Sequence, residues 1–92
     1  MKRYRIRIPP DVQLFLKHLP PLLKSKIRGA LEELEKDPWM GKPLKEKLRG
    51  FHSYRVSKYR IVYQMRNEDL LIQIVEIAER SIIYQKVLAL LN

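Results

Sequence analysis

The N-terminal stretch alternates strictly. Tyr4, Ile6 and Ile8 fall at one parity and Arg3, Arg5 and Arg7 at the other. Successive side chains of a strand point to opposite faces, so this spacing predicts a half-buried strand with an arginine outer face. Pro9-Pro10 ends it, and Pro10 suits a first helical turn, with Asp11 well placed for the helix dipole. The period then changes. Val12, Phe15, Leu16 and Leu19 share one helical face, Pro20-Pro21 interrupts, and Leu23, Ile27, Leu31 and Leu34 form a second stripe that stops at Asp37-Pro38. Two amphipathic helices joined by a two-proline elbow predict a helical hairpin.

The segment "PWMGKPLKEKLRG" carries two prolines and two glycines and reads as connection, with a short helical turn at Leu44–Leu48 and a turn at Gly50. From Ser53 the period falls to two through "SYRV", "YRIVYQM" and "LLIQIVEIA", with "RNED" dividing the last two. "RSIIYQKVLALLN" reads as a closing helix with Ser81 as its N-cap. The order β-α-α-β-β-β-α segregates helices from strands. It predicts one α+β domain over residues 1–92: a mostly antiparallel, four-stranded sheet with the helical hairpin on one face.

Placing Ser57-Lys58 as a two-residue hairpin turn fixes a register. Arg55 then faces Arg60, Val56 faces Tyr59 and Tyr54 faces Ile61. Residues directly opposite share a face, so the two arginines stand together with Ser53, Val62 and Gln64. The apolar set Tyr54, Val56, Tyr59, Ile61 and Tyr63 turns toward the helices. The arginine face is expected to be open or concave. Like charges opposite one another are destabilising unless they splay into water or hold an anion, and spacing alone does not choose between these. Ser-Lys is a poor match for such a turn, which favours Gly or Asn.

Composition narrows the function classes. The chain has no cysteine, which excludes disulfides, thiolate metal sites and a cysteine nucleophile. No apolar run approaches a membrane span and the basic start lacks a signal-peptide core, so a soluble, cytoplasmic protein is expected. Lys+Arg number 19 against 10 Asp+Glu, a formal charge of +9. The excess is local: Lys2, Arg3, Arg5 and Arg7 have no acid among them, and Lys42, Lys45, Lys47, Arg49, Arg55, Lys58, Arg60 and Arg66 face only Glu46. A one-sided cationic field suits a polyanion, either nucleic acid or an acidic protein. A solvated or heat-adapted surface is the alternative. His18 and His52 are too far apart in sequence to make a metal motif, and Trp39 and Tyr4 read as cover for the core.

Three segments together carry a family resemblance: Leu48-Arg49-Gly50; Arg55-Val56-Ser57-Lys58-Tyr59-Arg60-Ile61-Val62-Tyr63; and Ile77-Ala78-Glu79-Arg80-Ser81-Ile82-Ile83-Tyr84. Over essentially the whole chain the sequence resembles the RelE/ParE superfamily of type II toxins, nearest the RelE-type mRNA interferases. The resemblance implies an endoribonuclease that needs no metal or other cofactor and cuts mRNA at the ribosome by attack of the ribose 2′-oxygen on the adjacent phosphate. It assigns Arg55, Arg60 and Arg80 as active-site cations and Tyr84 as the site tyrosine. Glu79 and His52 stand as possible acids or bases. Lys45, Lys47, Arg49, Lys58, Arg3 and Arg5 are offered for RNA binding. It also implies an acidic or amphipathic, RelB-like antitoxin that covers basic surface. Two departures bear on activity: Ser53 stands where many nucleases of the family have Lys or Arg, and Glu79 where His or Lys is common. The alternatives are a ParE-like toxin acting on DNA gyrase, and a catalytically weakened homologue that only binds RNA or antitoxin.

Overall fold

A computed structural model describes residues 3–92. The first strand, β1 (Arg5–Arg7), leads into α1 (Pro10–Lys17) and α2 (Pro21–Lys36). Each helix starts directly on a proline, whose missing N–H costs nothing in a first turn. Their predicted stripes face inward: Val12, Ile27 and Leu34 are essentially inaccessible to solvent.

A 3₁₀ turn at Pro38–Met40 follows, then a two-residue strand β2 (Lys42–Pro43), a 3₁₀ turn at Glu46–Leu48, and the strands β3 (His52–Val56), β4 (Tyr59–Arg66) and β5 (Leu71–Glu79). The closing helix α3 runs Ile83–Leu91. The sheet has five strands, not four, in the order β1-β5-β4-β3-β2. The extra strand is β2, an edge pairing too short to leave a periodicity. Proline is tolerated there because an edge strand need not donate on both sides. β1 pairs in parallel with β5, and the other three pairings are antiparallel.

The hairpin register is as predicted. Arg55 pairs with Arg60, Val56 with Tyr59 and Tyr54 with Ile61. The turn is closed by Ser57 at φ 57, a left-handed conformation that costs an L-residue about 1–2 kcal/mol relative to glycine.

Both faces of the sheet are covered, which corrects the expectation of an open arginine face. On one side α1 and α2 pack on Val56, Tyr59, Ile61, Tyr63, Ile72, Ile74 and Ile77. On the other a second core joins Val62 and Ala78 to Leu48, Phe51, Ile83 and Val87. A bulge in β5, where Val62 pairs with Glu76 but Tyr63 with Ile74, leaves Val75 over to pack against this second core. The closing helix therefore lies against the face that carries the arginines. Its residue before the first turn is Ile82, which makes no side-chain cap, and the exposed Ser81 does not serve as one.

Tyr63 ties the connection after α2 to the sheet. Its ring is fully buried, its hydroxyl donates to the Pro38 carbonyl at 2.7 Å and accepts from the Gly41 N–H at 3.1 Å. A β-carbon on Gly41 would run into that hydroxyl and ring, so glycine is required there.

Candidate functional site

The hairpin, α3 and the strand edge meet around one oxygen. Ser53 is 2% exposed. Its Oγ accepts from Arg60 Nη1 at 3.2 Å and from Tyr84 Oη at 3.3 Å. A serine hydroxyl has two acceptor lone pairs, and both are used. Ser53 thus holds a guanidinium from β4 and a phenol from α3 against one another. The sequence places Ser53 on the arginine face and marks it as a missing cation, but not as an acceptor. The acceptor role could be seen only once α3 was known to pack on this face.

The two paired arginines are kept from colliding by separate anchors. Arg60 reaches back along the hairpin to Ser53, whereas Arg55 Nε donates to the Ser57 carbonyl at 3.2 Å, toward the turn. Arg55 is exposed and Arg60 half-buried. Arg80 joins through its backbone: its N–H donates to the Lys58 carbonyl at 2.8 Å, fixing the end of β5 beside the hairpin tip. Lys58, Glu79, Arg80 and Ser81 line a shallow, open depression there.

Among the described residues the single ion pair is Lys36 with Glu33, on α2. No carboxylate among the described residues therefore lies within ion-pair distance of Arg55, Arg60, Arg80 or Lys58. A group of cations without internal partners can take an external anion, and arginine's planar fork suits the paired oxygens of a phosphate.

Neither of the two candidate acids or bases faces Ser53 and Arg60, although Glu79 borders the depression beside Arg80. His52 pairs with Tyr63, so it lies on the opposite face from Ser53 and Arg60. Its ring stacks on Tyr63 at 5.6 Å and meets Trp39 edge-on at 6.0 Å. Its Nδ1 is buried without a partner, and desolvation lowers its pKa, favouring the neutral ring. Glu79 pairs with Tyr59, which also turns it away from the Arg60 face, and it makes no ion pair with Arg80. Trp39 does not cover a core edge as expected: it is 60% exposed.

The remaining cations fall into two groups. Lys45, Lys47 and Arg49 are exposed on the segment whose Leu44, Leu48 and Phe51 cover the second core. Arg3 and Arg5 are exposed as well, but β1 is two strands away from β4. Arg5 pairs with Leu71, which pairs with Arg66, six residues along β4 from Arg60 and so about 20 Å distant at strand spacing. Arg3 and Arg5 therefore belong to a separate patch.

A model of the ParE toxin of the type II toxin–antitoxin system parDE matches residues 4–84. The chain belongs to this toxin family. Within it, the toxin is RelE-like: it is 31% identical over 85 residues to toxin RelG of Mycobacterium tuberculosis, covering 90% of this chain and 98% of RelG. It is 33% identical over 88 residues to toxin RelE of the same organism, covering 89% and 87%. Its fold matches the toxin–antitoxin complex RelBE2 of M. tuberculosis with a TM-score of 0.77 and 29% identity, over 88% of this chain and 95% of that one. No helix among the described residues is long and apolar enough to cross a membrane.

Proposed function

We propose that this toxin is an endoribonuclease that cleaves mRNA on the ribosome without a metal ion. The observation that carries the reading is the convergence of Arg60 and Tyr84 on the buried Ser53 oxygen, beside Arg55 and Arg80, with none of these arginines in an ion pair among the described residues. The reaction suited to these groups is attack of a ribose 2′-oxygen on the adjacent phosphorus. The new 2′-O–P bond forms as the bond to the 5′-oxygen breaks, leaving a 2′,3′-cyclic phosphate and a free 5′-hydroxyl. The 2′-hydroxyl proton must be removed and one delivered to the departing 5′-oxygen. Charge builds on the non-bridging oxygens, where the guanidinium groups bind. Tyr84 is the one acid–base side chain of those predicted that shares the Ser53 oxygen with Arg60, so it takes the proton-transfer role. Arg55, held only through Nε, and Arg80 are both exposed and present their guanidinium groups to a phosphate.

In the cell this activity requires restraint. The RelBE2 neighbour is a toxin–antitoxin complex. A cognate antitoxin of acidic, RelB-like character fits the +9 charge of this chain, and both would act in the cytoplasm.

The test is induction of the toxin in growing cells with primer extension across abundant mRNAs. Cuts that need the ribosome, and that disappear with Arg60→Ala plus Arg80→Ala in a folded variant, are expected. Undiminished cutting by that double variant would remove the site assignment. The matching family model carries the ParE description, which favours a second reading, a gyrase-directed toxin. A DNA-damage response with intact mRNA would replace the nuclease reading with it. RNA binding with a steep salt dependence but no cutting would leave a binding protein.

A further inference from the structure

Ser53 occupies a position where a positive charge would have to be buried, and it carries none. The neighbouring strand carries one. In the two-residue pairing of β2 with β3, Lys42 lies directly opposite Ser53, and Pro43 opposite His52. Directly opposed residues of an antiparallel pair share a face, with β-carbons about 4.5–5.5 Å apart. Lys42 therefore rises on the same side of the sheet as Ser53 and Arg60, while Pro43 and His52 turn to the other.

The backbone that presents Lys42 is fixed on both sides. The preceding Gly41 N–H is held by the buried Tyr63 hydroxyl at 3.1 Å, and the following Leu44 N–H donates to the Phe51 carbonyl at 2.9 Å. The Lys42 side chain itself is exposed and has no carboxylate within 4 Å among the described residues. An ammonium on a flexible four-carbon stem can reach over a neighbouring serine while staying hydrated.

Resting on the nuclease reading above, we propose that Lys42 is a phosphate-binding cation of the same site, supplied from β2 in place of a charge on β3. Ser53 and Lys42 then divide two tasks that one basic residue on β3 would have to combine. The serine oxygen orients Arg60 and Tyr84 from a buried position. The lysine meets a non-bridging oxygen of the scissile phosphate from a solvated one, where its charge need not be desolvated in the free protein. Lys26, exposed on α2 across the opposite face of the sheet, serves as the control.

The experiment is single-turnover cleavage of ribosome-bound mRNA at saturating toxin. Binding is measured in parallel with an mRNA carrying a 2′-deoxyribose at the scissile position. Lys42→Gln, at an exposed position, keeps its melting curve and loses about tenfold or more in the saturated rate constant. Lys42→Arg stays within about threefold of the parent, as does Lys26→Gln. A Lys42→Gln variant that cuts at the parental rate, or that loses only affinity for the deoxy-substituted mRNA, would overturn the assignment and leave the nuclease reading intact. A folded parent protein that does not cut mRNA at all would overturn both.

Discussion

Replacing Ser53 with alanine isolates what one buried oxygen does. The substitution removes one oxygen from a residue that is 2% exposed and leaves two donors, Arg60 Nη1 at 3.2 Å and Tyr84 Oη at 3.3 Å, without their shared acceptor. A hydrogen bond from a charged donor contributes about 1.5–3 kcal/mol, and one from a neutral hydroxyl about 0.5–1.5 kcal/mol. Arg60 and Tyr84 are both half-buried, so each regains part of this from water, and a net loss of about 1–2 kcal/mol is expected. For a domain of this size that lowers Tm by about 4–15 °C. Urea denaturation followed by circular dichroism gives the free energy directly. The decisive comparison is a double-mutant cycle with Tyr84→Phe. The hydroxyl of Tyr84 and the oxygen of Ser53 should couple by about 0.5–1.5 kcal/mol, so the second substitution costs less once the first is made. Additive losses, or a Ser53→Ala protein as stable as the parent, would refute the idea that this oxygen holds β4 and α3 together.

Three further outcomes follow from the geometry. Burial raises the Tyr63 pKa to about 12, against the opposing hydrogen bond from Gly41, while its unfolded value is near 10. The stability it contributes is therefore intact below pH 10 and drains away toward pH 12, by up to about 2.7 kcal/mol. Denaturation of the parent minus that of Tyr63→Phe should fall over that window, and parallel curves would contradict it. Gly41→Ala drives a β-carbon into the Tyr63 hydroxyl and should cost about 1–3 kcal/mol, with part of the loss recovered in a Tyr63→Phe background. Ser57→Gly relieves the positive φ of the hairpin turn and should raise stability by about 0.5–1 kcal/mol, visible as a Tm gain of a few degrees; an unchanged or lower Tm would count against strain there.

Much of the site was legible because strand parity is a strong constraint. Once the turn at Ser57-Lys58 was placed, the facing of Arg55 and Arg60 followed, and so did the inward turn of Tyr59, Ile61 and Tyr63. The same parity put His52 on the far face, where proximity in sequence to the arginines means nothing. Two features left no periodic trace. β2 is two residues long, includes a proline and follows a glycine, so nothing in "MGKPL" announces that Lys42 lines up with Ser53. And α3 is apolar around much of its circumference, with Ile83 and Val87 buried but Leu90 and Leu91 exposed, so its sequence does not say which sheet face it takes. That docking face decides whether Tyr84 reaches Arg60. It depends on Ala78 and on Val62, which in the linear pattern shares the parity of Arg60 and Gln64.

The sheet order also sets a schedule. β1, the first strand made, has no partner until β5 exists, because it pairs with Leu71–Gln73. The cluster around Ser53 waits longer still, since Tyr84 follows all five strands. Contacts so distant in sequence close late. A partly synthesised chain therefore holds Arg55 and Arg60 on a hairpin without the phenol that completes their site. Under the nuclease reading, the ribosome making this toxin is not exposed to a finished active site until residue 84 has emerged and α3 has docked.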